Sequence, residues 1–384
     1  MVMKLRYPRS LVPLALMLAA MLCSFLCLEV MLRAVDWERR ESKIVCLDPI
    51  MHNVYCPNVE GNSNSRDQAP NWVKINSEGM VDREYGREKP VDAIRIALLG
   101  SSVSASAYLS EAQKFKALWE RDLTQELGRP TEVLNFAIDG QATWEQLQMF
   151  HLRAGLFHPD YVVLVFTWGR DVWSNLASLD RGRPNPLKDE YQLPSWKTRL
   201  QVGHRSAIRL LWNHSVAFQF LETLRETIET RRIYEHAAKV QKVATVAEAR
   251  KSDAGILDDP AYQWDSEAWQ LTRQLIARLK QETSMAGVPL IVFSIPTLDN
   301  LLQPQPLPFL KFRDFLATQG IPSVDAFDSL ARLPESRLSE LYGIDHVHLT
   351  PQGHRYFAEK SLTQLAEIIA RSSPDLRHGT IHAD

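Results

Sequence analysis

The hydrophobic positions of this chain fall into three regimes, each predicting a different kind of structure. From Leu11 to Leu28 the residues are apolar and carry no charge. At about 1.5 Å of rise per residue, a helix of that length falls just short of the bilayer core and spans it with help from its flanks. Lys4, Arg6 and Arg9 precede the run, and Glu29 and Arg33 bring it to an end. Basic residues on the N-terminal side predict that this end stays in the cytoplasm and that the remainder lies outside. A cleaved signal peptide is the rival reading and a buried core helix the third. Against cleavage, Ala19 and Ala20 sit in the middle of the apolar run, and Leu22 and Leu26 precede Cys23 and Cys27 where a lipoprotein cysteine follows a small residue. An uncleaved single-pass anchor over residues 1–33 is the expectation.

Residues 34–90 show no sustained period and read as a stalk and lead-in. Within them, Pro57 to Asn71 is rich in Asn, Ser, Gly and Pro, which predicts an extended loop. The third regime begins at Ala93. Ile94 to Leu99 is a short, mostly apolar, β-capable run that stops at Gly100, the pattern of a buried parallel strand. A helix follows near 112–126, with Phe115, Leu118, Trp119, Leu123 and Leu127 spaced to face a core. Strands at 132–136 and 161–166 enclose a helix at 145–154. After a long break come a helix at 266–286, a strand at 289–294, a helix at 309–319, a strand at 322–325 and a closing helix at 351–371.

Alternating strands and helices predict an α/β domain over residues 91–372: five parallel strands, doubly wound, with helices on both faces. The break at about 175–260 reads as a helical insertion over the catalytic face, with a simple surface excursion as the plainer alternative. Residues 373–384 read as a polar tail.

Composition narrows the partners. Hydrophobic residues make up 45% and charged residues 23%, ordinary for a globular protein. Lys plus Arg number 44 against 46 Asp plus Glu, a net charge of -2, so no cation excess points to nucleic acid. Arg231 and Arg232 read as a solvated helix face. Beyond the anchor only Cys46 and Cys56 remain; they are either a disulfide, worth about 2–3 kcal/mol by chain entropy, or two unpaired thiols.

In an open α/β sheet, function collects at the C-terminal ends of the strands. The first strand delivers Gly100-Ser101-Ser102, the second Asn135 and Gly140, and the third Thr167-Trp168-Gly169-Arg170-Asp171. The end of the domain delivers Asp345-His346-Val347-His348 just before the closing helix. A serine hydroxyl needs a base to act as a nucleophile near neutral pH, and a histidine oriented by an aspartate is that base. An Asp three residues before a His in a turn can reach its ring nitrogen. Each motif alone is also a common turn or cap; the order Ser, Asp, His and the position before the last helix carry the reading.

Together these segments resemble the SGNH/GDSL hydrolase family over roughly residues 92–370, apart from the insertion. That resemblance implies a flavodoxin-like fold with Ser102 as nucleophile, His348 as base and Asp345 as its orienter. Asn135 to Gly140 is similar to the block whose glycine lends an oxyanion-hole N–H, and Leu349-Thr350-Pro351-Gln352-Gly353-His354 to the segment after the base. Asn76-Ser77-Glu78-Gly79-Met80 with Arg95-Ile96 resembles membrane-anchored bacterial members found among exopolysaccharide-modifying proteins. Two positions depart. Ser101 stands where Asp is usual, and Arg170 stands where the family has its oxyanion-hole asparagine. Arg170 either replaces that donor or pairs with Asp171 and leaves the hole one donor short; replacement is the favoured expectation.

The implied activity is a serine esterase on O-acyl, chiefly O-acetyl, esters of a cell-envelope or secreted polysaccharide, with the catalytic domain on the periplasmic side. The oxyanion donors are expected to be the N–H groups of Ser102 and Gly140, with Arg170. An O-acyltransferase with the same triad, and a non-catalytic carbohydrate-binding or assembly protein, are the alternatives; the charged insertion argues against a lipid esterase. Trp168 and Asp171 are the candidate substrate contacts, with core packing the commoner role for Trp168 and for Trp173. No cofactor is expected, and His346, His348 and His354 make a weak case for a metal. The sequence does not identify a protein partner.

Overall fold

The computed structural model describes residues 11–35, 44–48, 50–63, 71–180, 214–221, 263–302 and 307–372, with the single positions 37, 211 and 224. The expected insertion therefore lies mostly outside the described residues, as do Arg231, Arg232, residues 1–10 and the tail 373–384. Helix α1 (Leu11–Ala34) is long and apolar enough to cross a membrane, and apart from Leu32 its described residues are not buried in the protein.

Residues 44–85 correct the sequence expectation. Strand β1 (Val45–Asp48) pairs antiparallel with β2 (His52–Tyr55), and β3 (Glu60–Ser63) with β4 (Asn71–Lys74). Strand β3 falls inside the segment expected to be an extended loop. Its four residues, Glu-Gly-Asn-Ser, carry no apolar alternation for a reader to find; pairing with β4 sets it instead. Nor do these residues stand off as a stalk: Met51, Val54, Tyr55, Val73, Ile75 and Met80 are buried in the same cluster as Ala97 and Leu134 of the main sheet. Cys46 and Cys56 form a disulfide within this region.

The main sheet contains β5 (Ile94–Leu99), β6 (Thr131–Asn135), β7 (Tyr161–Thr167), β8 (Leu290–Ile295) and β9 (Ser323–Asp325), all parallel, in the order β6-β5-β7-β8-β9. The chain moves outward from β5 to β6, then returns to the other side of β5 as β7. That reversal opens a crevice at the C-terminal ends of β5 and β7.

Alternate residues along each strand bury into opposite layers, as a pleated sheet requires. Ala97, Leu99, Leu164, Phe166 and Val292 share one cluster, and Ile96, Leu98, Val163, Val165 and Phe293 share the other. Between β5 and β6 run a short helix α2 (Ser102–Ala105) and α3 (Phe115–Leu127); α4 (Thr143–Leu152) precedes β7 and α5 (Arg170–Asp180) follows it. Then come α6 (Glu267–Met285), α7 (Leu298–Leu301), α8 (Leu307–Thr318), α9 (Phe327–Leu330), α10 (Glu335–Leu341) and α11 (Pro351–Ser372). Phe115, Trp119 and Leu123 of α3 meet Phe357, Leu365 and Ile369 of α11 under one face. Leu147 of α4, Trp269 and Ile276 of α6 and Phe312 of α8 cover the other.

Candidate active site

Strand β5 ends at Leu99, and the chain turns at once into α2, whose first residue is Ser102. Gly100 makes this turn possible: a Cβ there would lie 2.3 Å from the Ser104 hydroxyl oxygen. Ser102 is half-buried while Val103 to Ala105 are buried beneath it, so its hydroxyl is held at the surface of the crevice.

The histidine comes from the loop between α10 and α11. A bridge between Tyr342 and Leu349 closes that loop, with the Gly343 N–H donating to the His348 carbonyl at 2.7 Å. The Tyr342 hydroxyl donates to the Pro296 carbonyl at 2.7 Å, tying the loop to the end of β8. Inside it, one Asp345 carboxylate oxygen accepts from the N–H groups of Val347 (3.1 Å) and His348 (3.0 Å), and the other meets His348 Nδ1. His348 Nε2 then faces Ser102 Oγ at 2.8 Å.

This geometry sets the proton positions. A carboxylate at Nδ1 requires the ring to carry its hydrogen there, which leaves Nε2 as the acceptor toward Ser102. Partial burial works against the Asp345 charge, but the His348 ring and the N–H groups of His348 and Val347 outweigh it. The carboxyl is held well below the usual carboxylate range and stays charged at neutral pH.

The remaining predicted residues separate. Gly140 has φ +75°, a conformation glycine accepts without strain, and it is exposed in the loop between β6 and α4. Among the described residues no partner engages the N–H of Ser102 or of Gly140. Arg170 opens α5; it is exposed and forms no hydrogen bond or ion pair among the described residues. The alternative pairing with Asp171 is thus not made. Asp171 turns inward and is fully buried, with one oxygen accepting from the Thr167 N–H at 2.8 Å. Burial pushes its carboxyl up to about 7, against the pull of that N–H and of the Arg170 charge.

Two expectations need correction. Trp168 does not line a cleft: its backbone N–H donates to the Ile295 carbonyl at 2.9 Å, continuing the β7–β8 ladder, so its ring stays in the register of Leu164 and Phe166. It is 1% exposed and packs edge-on against Phe309. Asp171 is equally out of a substrate's reach and fixes the turn from β7 into α5. Trp173, by contrast, is 42% exposed on α5. The three histidines do not converge on a metal. His346 pairs with Asp299 at 2.9 Å, His354 is buried, and no metal-holding cluster occurs among the described residues.

Sequence reasoning missed the contacts that brace the site. Asn135 donates from its side chain to the Ser104 carbonyl at 3.0 Å and accepts from the Ala137 N–H, joining the ends of β5 and β6. Tyr108 packs edge-on against the His348 ring at 5.5 Å, and its hydroxyl donates to the Leu349 carbonyl. The β1–β2 pair reaches the loop after β6, where Gln141 donates to the Asn53 carbonyl at 3.1 Å. Asp139, beside Gly140, faces Tyr55; burial pushes its carboxyl above the ordinary value, against Tyr55 and the charges of His348 and Lys114. Asn135 stands out in the sequence at the end of the second strand, but the carbonyls that Asn135, Tyr108 and Gln141 reach lie far away along the chain.

The class defined by fold and site is a doubly wound α/β protein with a Ser–His–Asp constellation at its topological switch point. No family model matches the chain, and no curated protein matches it. Solved structures similar to it include TesA, at TM-score 0.39 and 14% identity, covering 71% of this chain and 97% of that one. A lipase/acylhydrolase from Enterococcus faecalis matches at TM-score 0.39 and 15% identity, covering 72% and 96%. The acetyl xylan esterase AlAXEase matches at TM-score 0.38 and 14% identity, covering 70% and 98%. At such scores these likenesses assign no activity, which rests on the side chains.

Proposed function

We propose that this chain is a membrane-anchored serine esterase acting on O-acyl esters, with Ser102, His348 and Asp345 as its triad. The observation that carries the reading is the unbroken line from the Asp345 carboxylate through the His348 ring to Ser102 Oγ, 2.8 Å from Nε2. Ser102 attacks the ester carbonyl as His348 takes its proton. The tetrahedral oxyanion is held by the N–H groups of Ser102 and Gly140 and by the guanidinium of Arg170. His348 returns the proton to the departing alkoxide, leaving an acyl group on Ser102. Water then releases it, or a second hydroxyl accepts it, which makes the same site a transferase.

An O-acetylated cell-envelope or secreted polysaccharide is the substrate class this reading favours. Three features support it: the sequence resemblance to exopolysaccharide-associated proteins, the anchor α1 with basic residues ahead of it, and a disulfide in the body. Disulfides persist in oxidising compartments such as the periplasm, the side that the basic residues ahead of α1 favour for residues 34–384.

The test is hydrolysis of p-nitrophenyl acetate by the wild type beside Ser102→Ala and Arg170→Ala. Loss of all turnover in Ser102→Ala, with a drop of about 10²–10³ in kcat for Arg170→Ala, supports the assignment. Turnover that survives in Ser102→Ala refutes it. A wild type that neither hydrolyses nor transfers acyl groups moves the protein to the carbohydrate-binding alternative.

A further inference from the structure

The C-terminal half of α1 is not bare. Phe25, Leu28 and Leu32, one face of the helix, cluster with Val216, Ala217 and Phe220 from the helical residues 216–221. Trp37 meets Phe220 edge-on at 5.5 Å. From the same face of α1, Glu29 accepts hydrogen bonds from the Ser215 hydroxyl at 2.8 Å and from the N–H groups of Val216 and Ala217 at 3.2 and 2.8 Å. The opening N–H groups of a helix have no partner within it, and here a carboxylate from the anchor takes two of them. Arg33 donates to Glu29 at 2.8 Å and to the His214 carbonyl at 3.1 Å, so the carboxylate is itself balanced.

Water makes such arrangements unnecessary, because it satisfies a helix end without help. A hydrocarbon surrounding demands them, since every exposed polar group there costs several kcal/mol. Depth points the same way. At about 1.5 Å per residue, Phe25 lies roughly 13 Å inside the Ala34 end of α1, well within one leaflet. The segment also exposes apolar side chains, Leu211, Leu221 and Leu224, as α1 exposes Leu22, Leu26 and Val30.

We propose that the segment around residues 214–221 is a second membrane-inserted element, seated against α1 in the outer leaflet, with lipid acyl chains covering Leu211, Leu221 and Leu224. This rests on reading α1 as a membrane span. The segment lies between α5, which opens at the site, and α6. A second hold on the bilayer from there orients the strand ends and their site relative to the membrane, where a single tether leaves them free to tumble.

The test uses the full chain in phospholipid vesicles, with Cys23→Ala and Cys27→Ala and one nitroxide label at a time on Leu221→Cys, Leu224→Cys, Leu26→Cys or Ile344→Cys. Collisions with oxygen report lipid and collisions with a water-soluble nickel chelate report solvent. The proposal expects an oxygen-to-nickel ratio at 221 and 224 several-fold above that at 344 and close to that at 26. A lipid-like ratio at 26 with water-like ratios at 221 and 224 overturns this inference and leaves the anchor standing. Water-like ratios at all four positions overturn both. Labels at 221 and 224 that neither reagent reaches identify a protein neighbour, such as a second copy of the chain, and also overturn the proposal.

Discussion

His348 and His354 stand a few residues apart, and their surroundings divide the labour of one side chain. His348 is partly exposed in the loop before α11, with a carboxylate at Nδ1 and Ser102 at Nε2. His354 is fully buried in the first turn of α11; its Nδ1 accepts from the Phe115 N–H at 3.1 Å and its Nε2 meets Ser106 Oγ at 3.2 Å. A backbone N–H can point only at an unprotonated nitrogen, so the His354 ring is neutral with its hydrogen on Nε2. Burial, reinforced by the charges of Lys114 and His348, pushes its pKa down to about 3. Both nitrogens are committed to holding α11 against α2 and α3. In His348 the second nitrogen faces the Ser102 hydroxyl instead. The contrast shows that a histidine's role here follows from what each ring nitrogen faces, with exposure as its consequence.

The largest effect expected from disturbing this contrast is at Asp345. Asp345→Asn keeps the shape of the pair but favours the wrong tautomer of His348. It is expected to lower kcat on an activated acetyl ester by about 10⁴, read by steady-state kinetics. A loss below tenfold would remove Asp345 from the triad.

His354→Ala should act on stability. It leaves the Phe115 N–H unpaired and opens a cavity beside stacked Phe115. A cost of about 2–4 kcal/mol is expected in urea denaturation at neutral pH, with kcat per folded molecule changed less than about tenfold. Its pH dependence sharpens the comparison. The folded ring stays neutral down to about pH 3, while the unfolded one protonates near its ordinary value of 6.5. Below that value the unfolded state binds the extra proton, so wild-type stability falls with acidification by about 1.4 kcal/mol per pH unit until the folded ring also titrates. The variant lacks this component, and its deficit relative to wild type should shrink between pH 6.5 and 3.

The smallest effect is expected at His346, which resembles His348 only in having an aspartate at Nδ1. Its pair with Asp299 is exposed and aims at no nucleophile among the described residues. His346→Gln should change stability by about 0.5 kcal/mol or less and the hydrolysis rate by about threefold or less. A loss as large as that of Asp345→Asn would mean that the wrong histidine has been assigned as base.

Much of the catalytic domain was legible because its signals are local. Strands β5, β7 and β8 are short, mostly apolar runs, and the observed β5 and β7 match the predicted spans to within a residue. Chain order, position before the last helix and the family resemblance singled out Ser102, Asp345 and His348, and these three side chains meet in the structure. What escaped was set by tertiary contact. The β1–β2 and β3–β4 pairs have strands of four residues and become visible only once Tyr55, Val73 and Ile75 pack against the sheet. Trp168 and Asp171 were found at the right strand end but with the wrong direction. The spacing does not say that the β7 ladder runs on through Trp168, nor that Asp171 turns back to the Thr167 N–H. Tyr108 and Asn135 brace the triad through carbonyls far along the chain, which no motif records.

The central claim is that Ser102 is a nucleophile activated by His348. Its most direct test is labelling of the full chain with a fluorophosphonate, followed by mass spectrometry of the peptide containing Ser101, Ser102 and Ser104. The account predicts one adduct, on Ser102, absent from Ser102→Ala and strongly reduced in His348→Ala. No adduct in the wild type, an adduct on another residue, or undiminished labelling in His348→Ala would contradict it.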